Sequence, residues 1–392
     1  MTAERLRAWL LIAPLLALVM AGLVLPLGGL LWRAIENEET PKTLTRTAEA
    51  LRGWDGADLP EAAAFAALFA DLKAASAESR LGGVARRMNY ERAGMRQLLL
   101  ATARLNPAPG EDLRAAMIAA RPEWGEVAVW RFVARQLRPF TPLFLLNAVD
   151  LTLNGEGEIA PAPAEEALFR AVFARTAWIA AIVTLVSLIA AYPVAYLLAT
   201  AGPRAGAIAM ACVLIPFWTA LLVRTTAWFV LLQNEGPLNA SLIWLGVVDQ
   251  PVQMIFTRFA VVVAMVHVTL PFVILPIYAV MKRIDPRYLR AASSLGAPPW
   301  TQFRRVYFPL TLPGVSAAAV TSFVTCLGFY ITPALVGGDR DQLIGYFIAF
   351  FTNRTINFPM AAALALLLLV GMAALLGLAR LARPALARAL RA

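Results

Sequence analysis

The chain has 392 residues, 60% of them hydrophobic and only 15% charged, with a formal net charge of +10. One soluble core of this length cannot enclose so much apolar surface, so much of it faces lipid and the chain reads as an all-α polytopic membrane protein. The positive balance brings no nucleic-acid recognition motif with it and is explained by the membrane. A single histidine, His267, and two cysteines, Cys212 and Cys326, all inside apolar runs, are too little for a zinc cluster or a histidine-based triad. No metal site and no catalytic site are expected. The cysteines pack as small hydrophobes, and His267 should make an interhelical hydrogen bond.

The first predicted element, 9–32, is uncharged and long enough, at about 1.5 Å per residue, to cross a hydrocarbon core of about 30 Å. It lacks a clear small-residue cleavage site, which favours a retained helix over a cleaved leader. Residues 1–32 are thus read as a cytoplasmic N-terminus and first span. The next segment, 33–170, is too polar to span and reads as a mainly helical insertion, a small cap outside the cell. Thr40-Pro41 and Arg121-Pro122 place prolines at helix starts. Leu151 to Ile159 alternates around Asn154-Gly155, a hairpin signal ahead of a linker at Pro161 and Pro163.

The remainder, 171–392, is expected to hold a five-helix core, with uncharged stretches over 176–202, 205–223, 259–281, 312–338 and 355–379. Six transmembrane helices result. Pro193, Pro216, Pro271, Pro276 and Pro333 predict kinks, and Gln233 to Pro237 a turn after a short interfacial helix. Arg5, Arg7, Arg204, Lys282, Arg283, Arg287, Arg290, Arg304, Arg305, Arg380, Arg383, Arg388 and Arg391 fall on one side of this arrangement, against Arg224, Arg340 and Arg354 in the short connections of the other. That excess marks the cytoplasmic face of a bacterial inner membrane, with both termini inside and the insertion periplasmic.

The loop 282–312 carries the most specific pattern. Asp285 can cap a helix entered through Pro286, and Leu289, Ala292 and Leu295 recur on one face until Gly296 ends it. Pro298 or Pro299 then starts a second amphipathic piece. Helix, glycine turn and helix make a knob suited to docking in a groove of a soluble partner. A basic helix lying on anionic lipid explains the arginines but neither the glycine break nor the following Phe308-Pro309-Leu310-Thr311-Leu312-Pro313.

Leu289 to Gly296 and Phe308 to Pro313 resemble the coupling-loop signature of ATP-binding-cassette (ABC) importer permeases, and Ile215 to Thr225 and Thr332 to Gly338 resemble the spermidine/putrescine-type branch. The resemblance covers roughly the last 220 residues. It implies a type I ABC importer permease fold, in which the loop sits in a cleft of a cytoplasmic ATPase subunit dimer. Further implied partners are a second permease subunit, usually a distinct homologous chain, and a periplasmic solute-binding protein, besides the lipid bilayer. The coupling residues carried over are Leu289, Arg290, Ala291, Ala292, Leu295, Gly296, Trp300, Phe303 and Pro309. Arg290 stands where the signature has Glu, so any ion pair of that Glu with the ATPase is absent or inverted here.

Pro216, Trp218, Arg224, Thr225, Trp228, Thr332 and Pro333 are the implied translocation pathway or gate. Arg224 either snorkels to the outer interface or points into the cavity, and the motif's likeness to an external gate favours the cavity. Trp218, Trp228 and Trp244 either line that region or form an interfacial belt. No phosphate-binding glycine loop is present, so ATP and Mg belong to the partner ATPase and this chain binds no cofactor. Spans two to six carry no carboxylate, while Glu235, Asp249, Asp339 and Asp341 sit in connections where solvation is the default. Substrate charge therefore stays open, between polyamine-like solutes as the leading class and an opine or other small organic anion. A self-sufficient secondary transporter or channel is the competing class, and it lacks paired ion sites in corresponding halves of the chain.

Overall fold

The computed structural model describes residues 3–389 except 109, 155, 156 and 166, and no side chains for 3–10, 379 and 382–389. Among the orientation-setting residues, the side chains of Arg5, Arg7, Arg383 and Arg388 and the whole of Arg391 lie outside the described residues. Chain contacts divide the protein into two compact units, Met1–Leu168 with Asn357–Leu366, and Phe169–Ile356 with Leu367–Ala392.

In the first unit, the opening helix Ala3–Val19 continues through a wide turn, Met20–Val24, into Leu25–Trp32. The wide turn has a local cause. Pro26 offers no N–H to the carbonyl four residues back and crowds it, and one π-turn, closed by Leu25 N–H on the Met20 carbonyl, relieves the clash. The stretch Leu11–Trp32 is apolar enough to cross a membrane and buries none of its window against the protein.

Residues 33–168 form a helical domain with its own core, in which Phe65, Leu68, Leu72, Trp124 and Trp130 are fully enclosed. Several of its buried polar groups are paired. The Trp124 indole donates to Thr102 Oγ1 at 2.8 Å, the Trp130 indole donates to the Trp124 carbonyl at 3.0 Å, and buried Asp71 accepts from both the N–H and the hydroxyl of Thr47 at 2.8 Å. Buried Arg87 lies 4.3 Å over the Phe144 ring and donates to Asn37 Oδ1, and burial pulls its pKa down to about 10 against the opposing charge of Glu91. Pro122 opens a helical turn as expected, a 3-10 turn over Pro122–Gly125, while Pro41 stands inside the first turn of Glu39–Thr43.

The predicted hairpin is present, with strands β1 (Leu151–Leu153) and β2 (Ile159–Pro161) paired antiparallel from Leu151↔Pro161 to Leu153↔Ile159. Two details differ. Pro161 belongs to the strand rather than to a linker, at the strand end, where a missing N–H is tolerated. Asn154 closes a five-residue loop rather than a tight two-residue one, accepting from Glu158 N–H through Oδ1 at 2.8 Å; Gly155 and Glu156 lie outside the described residues.

In the second unit, Phe169–Thr200, Arg258–Met281 and Pro299–Leu327 pack side by side. Hydroxyl pairs knit them where water is scarce: Thr184 to Ser322 at 3.3 Å, Ser187 to Thr269 at 2.9 Å, and Tyr192 to Thr311 at 3.2 Å. Gly314 allows a close approach: a Cβ there would stand 3.0 Å from both the Pro276 carbonyl oxygen and Val280 Cβ, so a larger residue would push this helix and Arg258–Met281 apart by a few tenths of an ångström.

Two predicted spans are corrected. The expected span 205–223 is a helix Pro203–Trp218 followed, after a 96° bend, by a second helix Leu221–Leu231. Thr219 closes the first helix by donating both its N–H and its hydroxyl to the Pro216 carbonyl, at 3.2 and 2.7 Å, and the chain then runs extended through Ala220. The expected span 312–338 begins earlier and ends earlier, as Pro299–Leu327, and Pro333 opens no kink within it. Pro333 instead occupies the first turn of a separate short helix, Ile331–Val336, where its missing N–H has no intrahelical partner to lose. A further short apolar helix, Ile344–Asn353, precedes the last one, Phe358–Ala389, whose apolar window is Phe358–Leu378. Among the described residues five helices are long and apolar enough to cross a membrane, six if the bent pair counts as one.

Candidate functional site

At one end of the second unit lies the segment 282–312. Asp285 Oδ1 accepts the Arg287 N–H at 2.8 Å and opens the helix Arg287–Ser294. The helix ends in a two-bond cap: Ala297 N–H reaches the Ala292 carbonyl at 3.1 Å, and Gly296 N–H reaches Ser293 at 3.0 Å. Gly296 takes φ +79°, and a Cβ on it would meet open space, so the demand for glycine comes from the backbone angle alone.

Leu289 and Ala292 lie on the inner face, and Leu289 packs against the core formed by Ala195, Leu198, Ile277 and Met281. Leu295 does not join them. Leu295 keeps the helical bond, its N–H on the Ala291 carbonyl at 3.1 Å, but six residues at about 100° each set it about 120° round the axis from Leu289, leaving it 88% exposed at the tip beside exposed Arg290, Ala291 and Gly296. The knob presents an apolar residue to solvent in the middle of a basic segment.

The second piece is not a separate short helix, as the sequence suggests. Pro299–Gln302 passes through a π-turn, Phe303–Tyr307, straight into Phe308–Leu327. The π-turn precedes Pro309, as its counterpart precedes Pro26, and Phe308 N–H closes it on the Phe303 carbonyl. From the knob runs an aromatic ladder: Trp300 stacks on Phe303 at 5.7 Å, Phe303 meets Tyr192 edge-on at 6.2 Å, and Tyr307 meets Tyr196 edge-on at 5.6 Å. Tyr192 and Tyr196 were not legible as site residues, the available signal being two phenol groups one turn apart in an otherwise apolar span.

The second cluster joins the two distant stretches 215–225 and 332–338. Thr225 and Thr332, both fully buried, share a hydroxyl hydrogen bond at 3.1 Å, with Pro333 buried alongside. Trp228, three residues beyond Thr225, donates its indole N–H to His267 Nδ1 at 3.0 Å, giving the interhelical bond expected of the sole histidine a named partner. Arg224 sits one turn before Trp228, and its Nε and Nη1 atoms are buried without a hydrogen-bond partner among the described residues. Pro216 and Trp218 stay apart from this cluster: Pro216 serves the bend, and Trp218 is 86% exposed, as is Trp244 at 84%. Asp341 is a further correction, being buried and paired with Arg258 Nε at 3.1 Å rather than solvated.

Residues 175–388 match the family described as "Binding-protein-dependent transport system inner membrane component". The chain belongs to this family. It is 34% identical over 195 residues to the spermidine/putrescine transport system permease protein PotB of Escherichia coli K12, covering 49% of this chain and 71% of that one. It is 32% identical over 167 residues to the molybdenum transport system permease protein ModB of Azotobacter vinelandii, covering 42% and 71%. A solved bacterial alginate ABC transporter in complex with an alginate-bound periplasmic protein aligns over 56% of this chain and 79% of its own, at 15% identity and TM-score 0.48.

Membership makes the protein an all-α polytopic permease of the type I importer class, a non-catalytic inner-membrane subunit of an ABC importer. It also decides against a self-sufficient secondary transporter or channel. The matched region contains both clusters, the knob and the Thr225–Thr332 pair. The helical domain 33–168 lies outside it.

Proposed function

We propose that this permease passes a small solute, polyamine-like in class, from a periplasmic binding protein to the cytoplasm by alternating access, paired with a second permease and driven by a cytoplasmic ATPase dimer. The observation that carries the reading is the knob itself: a capped helix, a left-handed glycine and an exposed leucine, continuous through one unbroken helix with the span that packs at the centre of the unit. A push on Leu295 or Trp300 moves Pro299–Leu327 as a lever, and the aromatic ladder passes it to Phe169–Thr200. ATP and Mg act on the ATPase. This chain's part is to receive the movement at Leu289, Arg290, Ala291, Ala292, Leu295, Gly296, Trp300, Phe303 and Pro309, and to open or close at Arg224, Thr225, Trp228, Thr332 and Pro333. In the proposed orientation 282–298 and both termini face the cytoplasm.

Kinship to a spermidine/putrescine permease supports the polyamine-like class. The unpartnered donors of Arg224 favour a second reading, in which the solute brings an acceptor or an anionic group, such as a small organic acid. A thermal-shift screen of the cognate binding protein against polyamines, organic acids and oxyanions separates the two, because the true ligand stabilises it by an amount that grows with the logarithm of concentration over Kd. Stabilisation by spermidine or putrescine supports the first reading. Stabilisation by an acid or oxyanion alone replaces it with the second.

A further inference from the structure

His267 is the single histidine of the chain, and from Phe259 to Met281 its helix carries no charged side chain. Its Nδ1 accepts the Trp228 indole N–H at 3.0 Å, the two rings lying edge to face at 5.8 Å. An accepting Nδ1 needs a free lone pair, so the imidazole is neutral with its proton on Nε2. Only two side-chain hydrogen bonds to other helices hold Leu221–Leu231 among the described residues: Thr225 to Thr332 on the short helix, and Trp228 to His267 on Arg258–Met281. Trp228 also packs against the apolar cluster of Ile179, Ala264, Met265 and Leu327.

We propose that His267 is a positioning residue for transport, holding the bent helix and its Arg224 against Arg258–Met281 while neutral and releasing it when protonated. The inference rests on the permease reading above. A proton added at Nδ1 turns the acceptor into a donor, which then faces the Trp228 N–H donor to donor. It also places a second positive charge near Arg224, the charged group whose field reaches the imidazole. Both effects push Leu221–Leu231 away from His267. Among the described residues nothing packed around the site offsets that charge: the neighbouring faces supply Ile179, Ala180 and Val183, Val261, Ala264 and Met265, and Leu327, with the buried thiol of Cys326 as their titratable group.

Two measurements test it. Full-length protein labelled with 15N-histidine and held in lipid nanodiscs gives a single imidazole spectrum, because there is one histidine. The expected spectrum at neutral pH shows an unprotonated Nδ1, and Trp228→Phe moves that signal and lets the ring protonate more readily. In the assembled transporter, ATP hydrolysis by wild type, His267→Gln and His267→Leu is compared from mildly alkaline pH down to the most acidic pH at which His267→Gln remains active. Glutamine offers an acceptor that does not titrate. The ratio of wild type to His267→Gln is expected to fall at least about fivefold on acidification, the shift produced by losing one net hydrogen bond, while His267→Leu, which loses the acceptor without adding a charge, is lowered about fivefold at every pH. A protonated Nδ1 at neutral pH, a spectrum unmoved by Trp228→Phe, or a flat ratio would each overturn the proposal. An assembly that hydrolyses no ATP at any pH overturns the permease reading instead, and the spectrum still decides the hydrogen bond.

Discussion

Gly296 and Arg224 are the two residues on which the proposed mechanism leans most, for opposite reasons. Gly296 is demanded by its backbone angle and by nothing around it. An L side chain in the left-handed region costs about 1–2 kcal/mol, so Gly296→Val should insert normally yet distort the cap that aims Leu295. Coupling free energies of about 1–3 kcal/mol correspond to about 5–150-fold, and uptake by Gly296→Val should fall within that range while ATP hydrolysis persists. Equal uptake and equal stimulation in the variant would detach the knob from the motor. Arg224 is notable for what it lacks, with two buried donor atoms unsatisfied. Arg224→Ala removes that cost and should leave membrane insertion and detergent melting unchanged or improved, while lowering uptake about tenfold if a transported group meets those donors. Uptake at the wild-type level would leave Arg224 a mere interfacial anchor.

At the scale of elements, prolines decide where helices widen, bend or begin. Pro26 and Pro309 each follow a π-turn, Pro216 precedes the 96° bend, and Pro333 opens a new helix. A π-turn carries one residue more than an α-turn, which rotates the helix beyond it by about 100°. Pro309→Ala restores an N–H to the Arg305 carbonyl and removes the crowding that widened the turn. The expected result is a regularised helix with Phe303, Trp300 and the knob rotated relative to Tyr192, read as loss of a crosslink between Phe303→Cys and Tyr192→Cys, whose rings lie 6.2 Å apart, and as uncoupled ATP hydrolysis. Retention of both would show that the π-turn does not depend on the proline. Element existence was legible from apolar runs and turn residues, including the hairpin. The extents of the third and fifth spans were not, because uncharged stretches such as 205–223 and 312–338 look alike whether the chain crosses in one helix or breaks into two. Leu295 was misplaced for a simpler reason: two successive steps of three residues carry it about 120° round the helix from Leu289, off the inner face.

For the whole molecule, the strongest open prediction concerns sidedness. With native Cys212 and Cys326 replaced, a cysteine at Tyr288 should react with a membrane-impermeant maleimide only after the membrane is opened, and one at Asn106 should react from outside in intact cells. The reverse pattern would place the knob where no ATPase reaches it and end the proposed importer mechanism. The sequence by itself determined the membrane class, the apolar runs and the glycine-broken basic loop, because hydrophobic length, charge and backbone preference are local properties of the chain. Tertiary structure alone decided that Thr225 meets Thr332, that Trp228 meets His267 and that Trp300 and Phe303 lead to Tyr192. The first of these pairs joins residues 107 positions apart. Buried hydroxyls and indoles must find partners once water is excluded, but which partner each finds depends on how the helices pack.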